Sequence, residues 1–230
     1  MTHRGAEVAA NLGDVRARIA AACAAAGRDA GDVELVAITK TFPLTDVEHL
    51  AAAGQHVFGE SRDQEGRAKA AARADLEWHF VGRLQTNKAR SVGGWARVVE
   101  SFDRAELAAP LARGAAEVGA AAPIVLIQVS LDGDPERGGA RPADVARVAA
   151  AATAAGLDVR GVMAVAPLRA DPQRAFAQLR SVRDGLSSEL PGARWISAGM
   201  SGDLEAAVAE GATHVRIGSA LLGRRPPPTG

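Results

Sequence analysis

Of the 27 basic residues in this 230-residue chain, only Lys40, Lys69 and Lys88 are lysines. Lys40 ends the apolar run of "LVAITKTF", residues 35–42. Side chains alternate along a strand, so Val36, Ile38 and Lys40 share one face. A lysine one step beyond two buried positions would stand at the mouth of whatever that face encloses. Burial there disfavours the ammonium ion, and the neutral amine is the species that attacks a carbonyl to make a Schiff base. A snorkelling lysine, with its stem on apolar surface and its charge in water, satisfies the position equally well. Lys69, in "GRAKAAARAD", reads as a solvated helix position.

A second group of candidates lies in "SAGMSGDLEAAVAEGATHVRIGSALLG", residues 197–223. Ser201, Gly202 and Asp203 read as the opening of a helix, whose first N–H groups lack partners within it, and Gly218 with Ser219 offers a second set of amides. Two such turns suit a phosphate dianion held by amides and serine hydroxyls without a lysine. Plain capping, with Ser201 as N-cap and Gly218 as a turn residue, accounts for each turn alone. Arg216 takes the face opposite Val215 and Ile217, and an inward arginine needs an anion or an acceptor. Glu60 and Glu100 are strand carboxylates that would serve. His79, between Trp78 and Phe80, reads as a satisfied core histidine. His49, His56 and His214 share no metal-ligand spacing with it, so no metal is expected.

The elements that must carry these residues alternate in type. Val8, Leu12, Val15 and Ile19 mark one face of an opening helix. Strands are expected at 35–39, 57–60, 78–82, 98–101, 124–130, 159–165, 195–199 and 214–218, each followed by an alanine-rich helical segment. Thr45 and Glu48 have capping-box spacing, which starts the second helix there. Eight short parallel strands with right-handed crossovers predict an α/β fold, a single (β/α)8 TIM-type barrel with an extra N-terminal helix; an open doubly wound sheet is the alternative. In such a barrel the site lies at the C-terminal strand ends, and phosphate favours the loops after strands seven and eight.

Composition bounds the partners. The 27 basic residues balance 27 acidic ones, which argues against nucleic acid or an anionic membrane and leaves a small molecule or another protein. The single cysteine, Cys23, makes no intramolecular disulfide and points to a reducing compartment. With charges throughout the first 22 residues and no long apolar run, the chain is expected to be cytoplasmic. Residues 1–230 read as one domain, with 1–7 and 225–230 disordered and 131–142 a mobile loop.

Taken together, "AITKTFP", "AAGQHVFGESRDQE", "WHFVGRLQTNKAR", "GVMAVAP" and "SAGMSGDLEAAVAEGATHVRIGSALLGRR" resemble the pyridoxal phosphate homeostasis protein family, small relatives of the alanine racemase N-terminal barrel. The motifs keep the family's order from about residue 8 to residue 225. The resemblance implies a fold-type III barrel binding pyridoxal 5'-phosphate, with Lys40 as the Schiff-base lysine. It places the phosphate on loops containing Met200, Ser201, Gly202, Gly218 and Ser219, and Arg216 near the pyridine nitrogen. Three positions depart from the family pattern. Ser61 replaces the asparagine of "GEN", so a ring contact there would be shorter or run through water. Arg137 stands where the family often has a lysine, and arginine makes no imine. "ISAGMS" replaces "LSMGMS", which alters packing behind the phosphate.

The family resemblance implies a carrier or reservoir in intracellular cofactor homeostasis, with apo enzymes that use pyridoxal phosphate as possible recipients. The rival is a pyridoxal phosphate-dependent amino-acid racemase. Racemisation there needs a second base, a tyrosine from a separate β domain of the partner subunit, whereas this chain has no tyrosine and no residues to spare for such a domain. A non-catalytic monomer is therefore expected. A barrel that binds another phosphorylated metabolite without covalent chemistry is the third reading.

Overall fold

Short apolar strands joined by helical crossovers can only pair in parallel, and here they pair in chain order until the last meets the first. In the computed structural model, which describes residues 2–134 and 136–223, the strands are β1 (Glu34–Ile38), β2 (Val57–Glu60), β3 (Glu77–Phe80), β4 (Val98–Phe102), β5 (Ile124–Gln128), β6 (Asp158–Met163), β7 (Trp195–Ser197) and β8 (His214–Ile217). They form a closed barrel, β8 pairing with β1 through Val36↔Arg216 and Ala37↔Ile217. The open-sheet alternative is thereby excluded. The helices are α1 (His3–Ala25), α2 (Leu44–Ala52), α3 (Asp63–Ala72), α4 (Thr86–Gly93), α5 (Ala108–Glu117), α6 (Val145–Ala154), α7 (Pro172–Glu189), α8 (Leu204–Ala209) and α9 (Ser219–Leu222).

The main core lies between barrel and helices, where the outward faces of the strands meet the inward faces of the helices. α1 contributes Val8, Leu12, Val15 and Ile19, all buried, and packs on α2, α8 and α9. One side of the barrel is apolar, built from Val98, Ile124, Leu126 and Met163 with Trp195 against them. Beside this cluster the interior is polar. Glu100 on β4 reaches Ser197 on β7 at 2.6 Å, a contact between non-adjacent strands that only the interior permits.

Several boundaries differ from the sequence expectation. Residues 3–7, expected to be disordered, are the first turns of α1: the Thr2 hydroxyl accepts from the Gly5 amide, and Arg4 pairs with Asp46 at 2.9 Å. Residues 225–230 lie outside the described residues. The Thr45–Glu48 capping box does not form. α2 begins one residue earlier, behind Pro43, whose extended backbone sets the entry without a side-chain cap. The stretch 131–142 is pinned at its return end, since the Ser130 amide donates to Ala140 O (2.8 Å) and the Ala140 amide to Gln128 O (2.7 Å). Most strands end one or two residues early, as the backbone turns to enter the loops. β1 stops at Ile38, leaving Lys40 in a turn beyond it. No helix among the described residues is long and apolar enough to cross a membrane.

The turn after β7 depends on Gly199, which sits at φ 93 while its carbonyl accepts the Arg216 amide at 2.9 Å. A Cβ there would fall 2.7 Å from Ala207 Cβ on α8. Gly199→Ala combines left-handed strain with overpacking, and should lower stability by about 2 kcal/mol, or roughly 5 °C in a thermal melt.

Candidate functional site

Barrel closure brings three separated segments to one cleft of about 580 Å³ at the C-terminal strand ends. Lys40 enters from the turn after β1. Met200, Ser201 and Gly202 come from the loop after β7, and Arg216, Gly218 and Ser219 from the end of β8 and the start of α9. Ile38, Phe42, Val81 and Val165 supply apolar walls. Seven of the eight residues expected from the sequence therefore line one cavity. Ser61, just past the end of β2, is not on its wall. Lys88 is exposed on α4, away from the cleft.

The small-residue turns are real, but their detail differs from the capping picture. Residues 201–203 form a turn and α8 starts at Leu204, so Ser201 is not its N-cap. Asp203 closes that turn, accepting from the Met200 amide at 2.6 Å. Ser201 Oγ stands 3.3 Å from Ser219 Oγ, which joins the two loops across the cleft. α9 opens at Ser219 directly behind Gly218. Hydroxyls and first-turn amides thus face one end of the cavity, and this donor set suits an anion.

Arg216 lies 6% exposed and is held on three sides. It donates to Ser197 Oγ (2.5 Å) and to Ala164 O (2.9 Å), and lies 3.5 Å from Glu100 Oε2. Of the two carboxylates expected as partners, Glu100 is the one it meets. Glu60 points to the helix side of the barrel. A chain of charges continues below: His79 Nδ1 meets Glu100 at 2.7 Å and Nε2 meets Glu77 at 3.0 Å. Burial alone would push the His79 imidazole down, but its hydrogen bonds to Glu100 and Glu77 outweigh that and hold it at about 9. Burial would raise Glu100, yet the His79 hydrogen bond and the Arg216 and His79 charges hold it at about 2. His79 is thus the core histidine expected, but a charged one.

Lys69 is not solvated. It is 6% exposed, and its ammonium donates to Glu60 Oε1 (2.6 Å), Glu65 Oε1 (2.8 Å) and Thr39 O (2.9 Å). The Thr39 hydroxyl also donates to Glu60 Oε1 at 2.7 Å, and the Thr41 amide to Glu65 Oε1 at 2.7 Å. Burial raises the Glu60 carboxyl, against the lowering effect of Lys69 and Thr39. The i,i+4 spacing of Glu65 and Lys69 on α3 was the available signal. What the spacing does not show is that the pair folds back against the β1 turn. Arg137, beyond β5, is tied to Val165 O (2.8 Å) and Ala166 O (2.9 Å) beside the cleft wall.

A closed parallel barrel with a lysine and an arginine at its mouth beside two small-residue loops defines a class, and the family described as "Alanine racemase, N-terminal domain" matches residues 10–226. Within that class the chain belongs to the pyridoxal phosphate homeostasis protein family. The Mycobacterium tuberculosis protein of that name is 44% identical over 245 residues, covering 96% of this chain and 94% of its own. The solved structure of PipY from Synechococcus elongatus with PLP bound is 35% identical, with a TM-score of 0.81, covering 94% of this chain and 100% of that one. A Clostridium difficile alanine racemase, 14% identical with a TM-score of 0.68, covers 85% of this chain and 53% of its own, and shares the fold alone.

The interior charges make stability depend on pH in a defined window. His79 titrates at about 9 in the fold against 6.5 when unfolded, so its contribution is complete below pH 6.5 and is lost as pH rises through 9. Burial holds His214 at about 4, so it is neutral in the fold over that window, while its unfolded imidazole sheds its remaining charge at the lower edge and slightly offsets the decline. Thermal melts should therefore show stability falling by roughly 2 kcal/mol between those limits, with His79→Gln flattening the decline.

Proposed function

We propose that this protein binds pyridoxal 5'-phosphate as a Schiff base on Lys40, and serves as a carrier or reservoir in intracellular cofactor homeostasis rather than as a turnover enzyme. The observation that carries this reading is the meeting of Lys40, Arg216 and the Ser201 and Ser219 loops in one cleft. The residues fit the group: a primary amine for its aldehyde, apolar walls for its ring, and hydroxyls and amides for its phosphate. A volume of about 580 Å³ lies within the usual range of small-ligand pockets. The names of the relatives, and the PLP in the PipY structure, support the same ligand.

The bound cofactor would supply an aldehyde to the lysine and an electron-withdrawing ring. This chain's residues would do the rest. Ser201, Ser219 and the amides of Met200, Gly202 and Gly218 hold the phosphate, with the Met200 amide exchanging its Asp203 contact for it. Ile38, Phe42 and Val81 keep water from the ring. Arg216, fixed by Ser197, Ala164 and Glu100, presents donors only, so a ring nitrogen facing it stays an unprotonated acceptor. An unprotonated ring draws electrons weakly, which suits holding the cofactor over using it. Ser61, off the wall, would reach the ring only through water.

Racemisation requires proton transfer on both faces of the substrate carbon. Among the described residues, Lys40 and Arg216 are the ionisable ones lining the cleft, and arginine does not give up its proton at physiological pH. The sequence contains no tyrosine. Delivery of the cofactor to apo enzymes would then be the use of such a store, and buried Cys23 suits a cytoplasmic setting.

Borohydride reduction of the protein loaded with pyridoxal phosphate, followed by peptide mapping, tests the reading directly. The label should fall on Lys40 alone and disappear in Lys40→Ala, with negligible alanine racemisation by the wild type. A label on Lys88, a colourless unreactive protein, or efficient racemisation lost on Lys40→Ala would overturn it.

A further inference from the structure

Lys69 touches no wall of the cleft, yet its contacts converge on the turn that carries Lys40. Its three ammonium hydrogens are matched by three acceptors: Thr39 O, Glu60 Oε1 and Glu65 Oε1. The carbonyl just before Lys40 is thus held by Lys69, and the amide just after it, that of Thr41, by the same Glu65 oxygen that Lys69 neutralises. The Thr39 hydroxyl is anchored to Glu60, and its amide to Gly59 O at 3.1 Å. The turn needs holding, because Thr41 sits at φ 69, the one non-glycine residue with positive φ among those described. A β-branched residue in that region persists only where its surroundings over-determine it.

We propose that Lys69 is the positioning residue of this site: with Glu60 and Glu65 it locks the 39–41 turn so that Lys40 is aimed into the cleft. The proposal rests on Lys40 being the Schiff-base residue. Joining the Lys40 nitrogen to the aldehyde carbon expels the amine's two hydrogens and the aldehyde oxygen as water, with no change of oxidation state. That step depends on where the nitrogen is held, whereas phosphate and ring binding do not. The chemistry of the clamp also accounts for a lysine in an arginine-rich chain. Three acceptors at 2.6, 2.8 and 2.9 Å surround a compact point charge, which a planar guanidinium does not reproduce. A buried ion pair is often replaceable by apolar residues without loss of stability, so stability alone does not explain its presence.

The test compares two ligands on the full-length protein. Pyridoxal 5'-phosphate forms the covalent link; pyridoxine 5'-phosphate, with an alcohol in place of the aldehyde, binds by the same phosphate and ring contacts without it. Lys69→Met should weaken pyridoxal 5'-phosphate binding about tenfold or more while pyridoxine 5'-phosphate stays within about twofold. Glu65→Ala, which removes the Thr41 acceptor from a partly exposed position and strands no buried charge, should show the same selective loss even where Lys69→Met folds poorly. Wild-type affinity for both ligands in Glu65→Ala and Lys69→Met, or equal losses for both ligands, would overturn the positioning role. Absence of a borohydride-stable adduct on wild-type Lys40 would instead overturn the cofactor reading beneath it.

Discussion

The pairing of β8 with β1 is the constraint on which the rest of this molecule depends. It sets Val36 beside Arg216 and Ala37 beside Ile217, and so joins the two ends of the chain at one rim. The meeting of the candidate residues on that rim follows from it. Lys40 lies two residues past the end of β1, while Gly218 and Ser219 lie just past the end of β8. An open sheet with the same strands would leave these residues at opposite edges. Closure also creates an interior, and an interior makes it expensive to place charge there without compensation.

The way that charge is compensated gives the site its rigidity. Arg216, Glu100, His79 and Glu77 alternate in sign through the barrel, and Ser197 fastens the upper pair. Glu100 is the hub: removing it would take the buried carboxylate from both Arg216 and His79, so the chain of charges is held together at that one residue. A second cluster of alternating sign, Glu60, Lys69 and Glu65, lies on the helix side of the barrel wall. The two clusters sit on either side of the Lys40 turn, the first fixing the guanidinium at the floor of the cleft and the second fixing the backbone that carries the amine.

Particular residues show what made parts of this structure legible and others not. The strands could be read because apolar runs of fixed length recur between alanine-rich segments, and Val57–Glu60 falls where that pattern puts it. The start of α2 is obscured in the sequence because Thr45 and Glu48 have the spacing of a capping box, while Pro43 already fixes the entry. The burial of Lys69 is hidden from the sequence for a related reason. An alanine-rich helix with alternating charges looks solvated when the strand it packs against is not known, and Glu60 sits in a different segment.

By itself the sequence determined the number and order of strands, the balance of charge, and the residue types able to meet a carbonyl and a phosphate. Those properties are local: periodicity, turn residues and side-chain chemistry act over a few positions. Only the tertiary structure decided that Lys40, Ser201, Arg216 and Ser219 face a single cavity, that Ser61 does not, and that Glu100 rather than Glu60 answers Arg216. Those outcomes depend on which strand closes against which and on which face of each strand turns inward. Contacts between residues far apart in the chain are set by that closure, not by spacing along it.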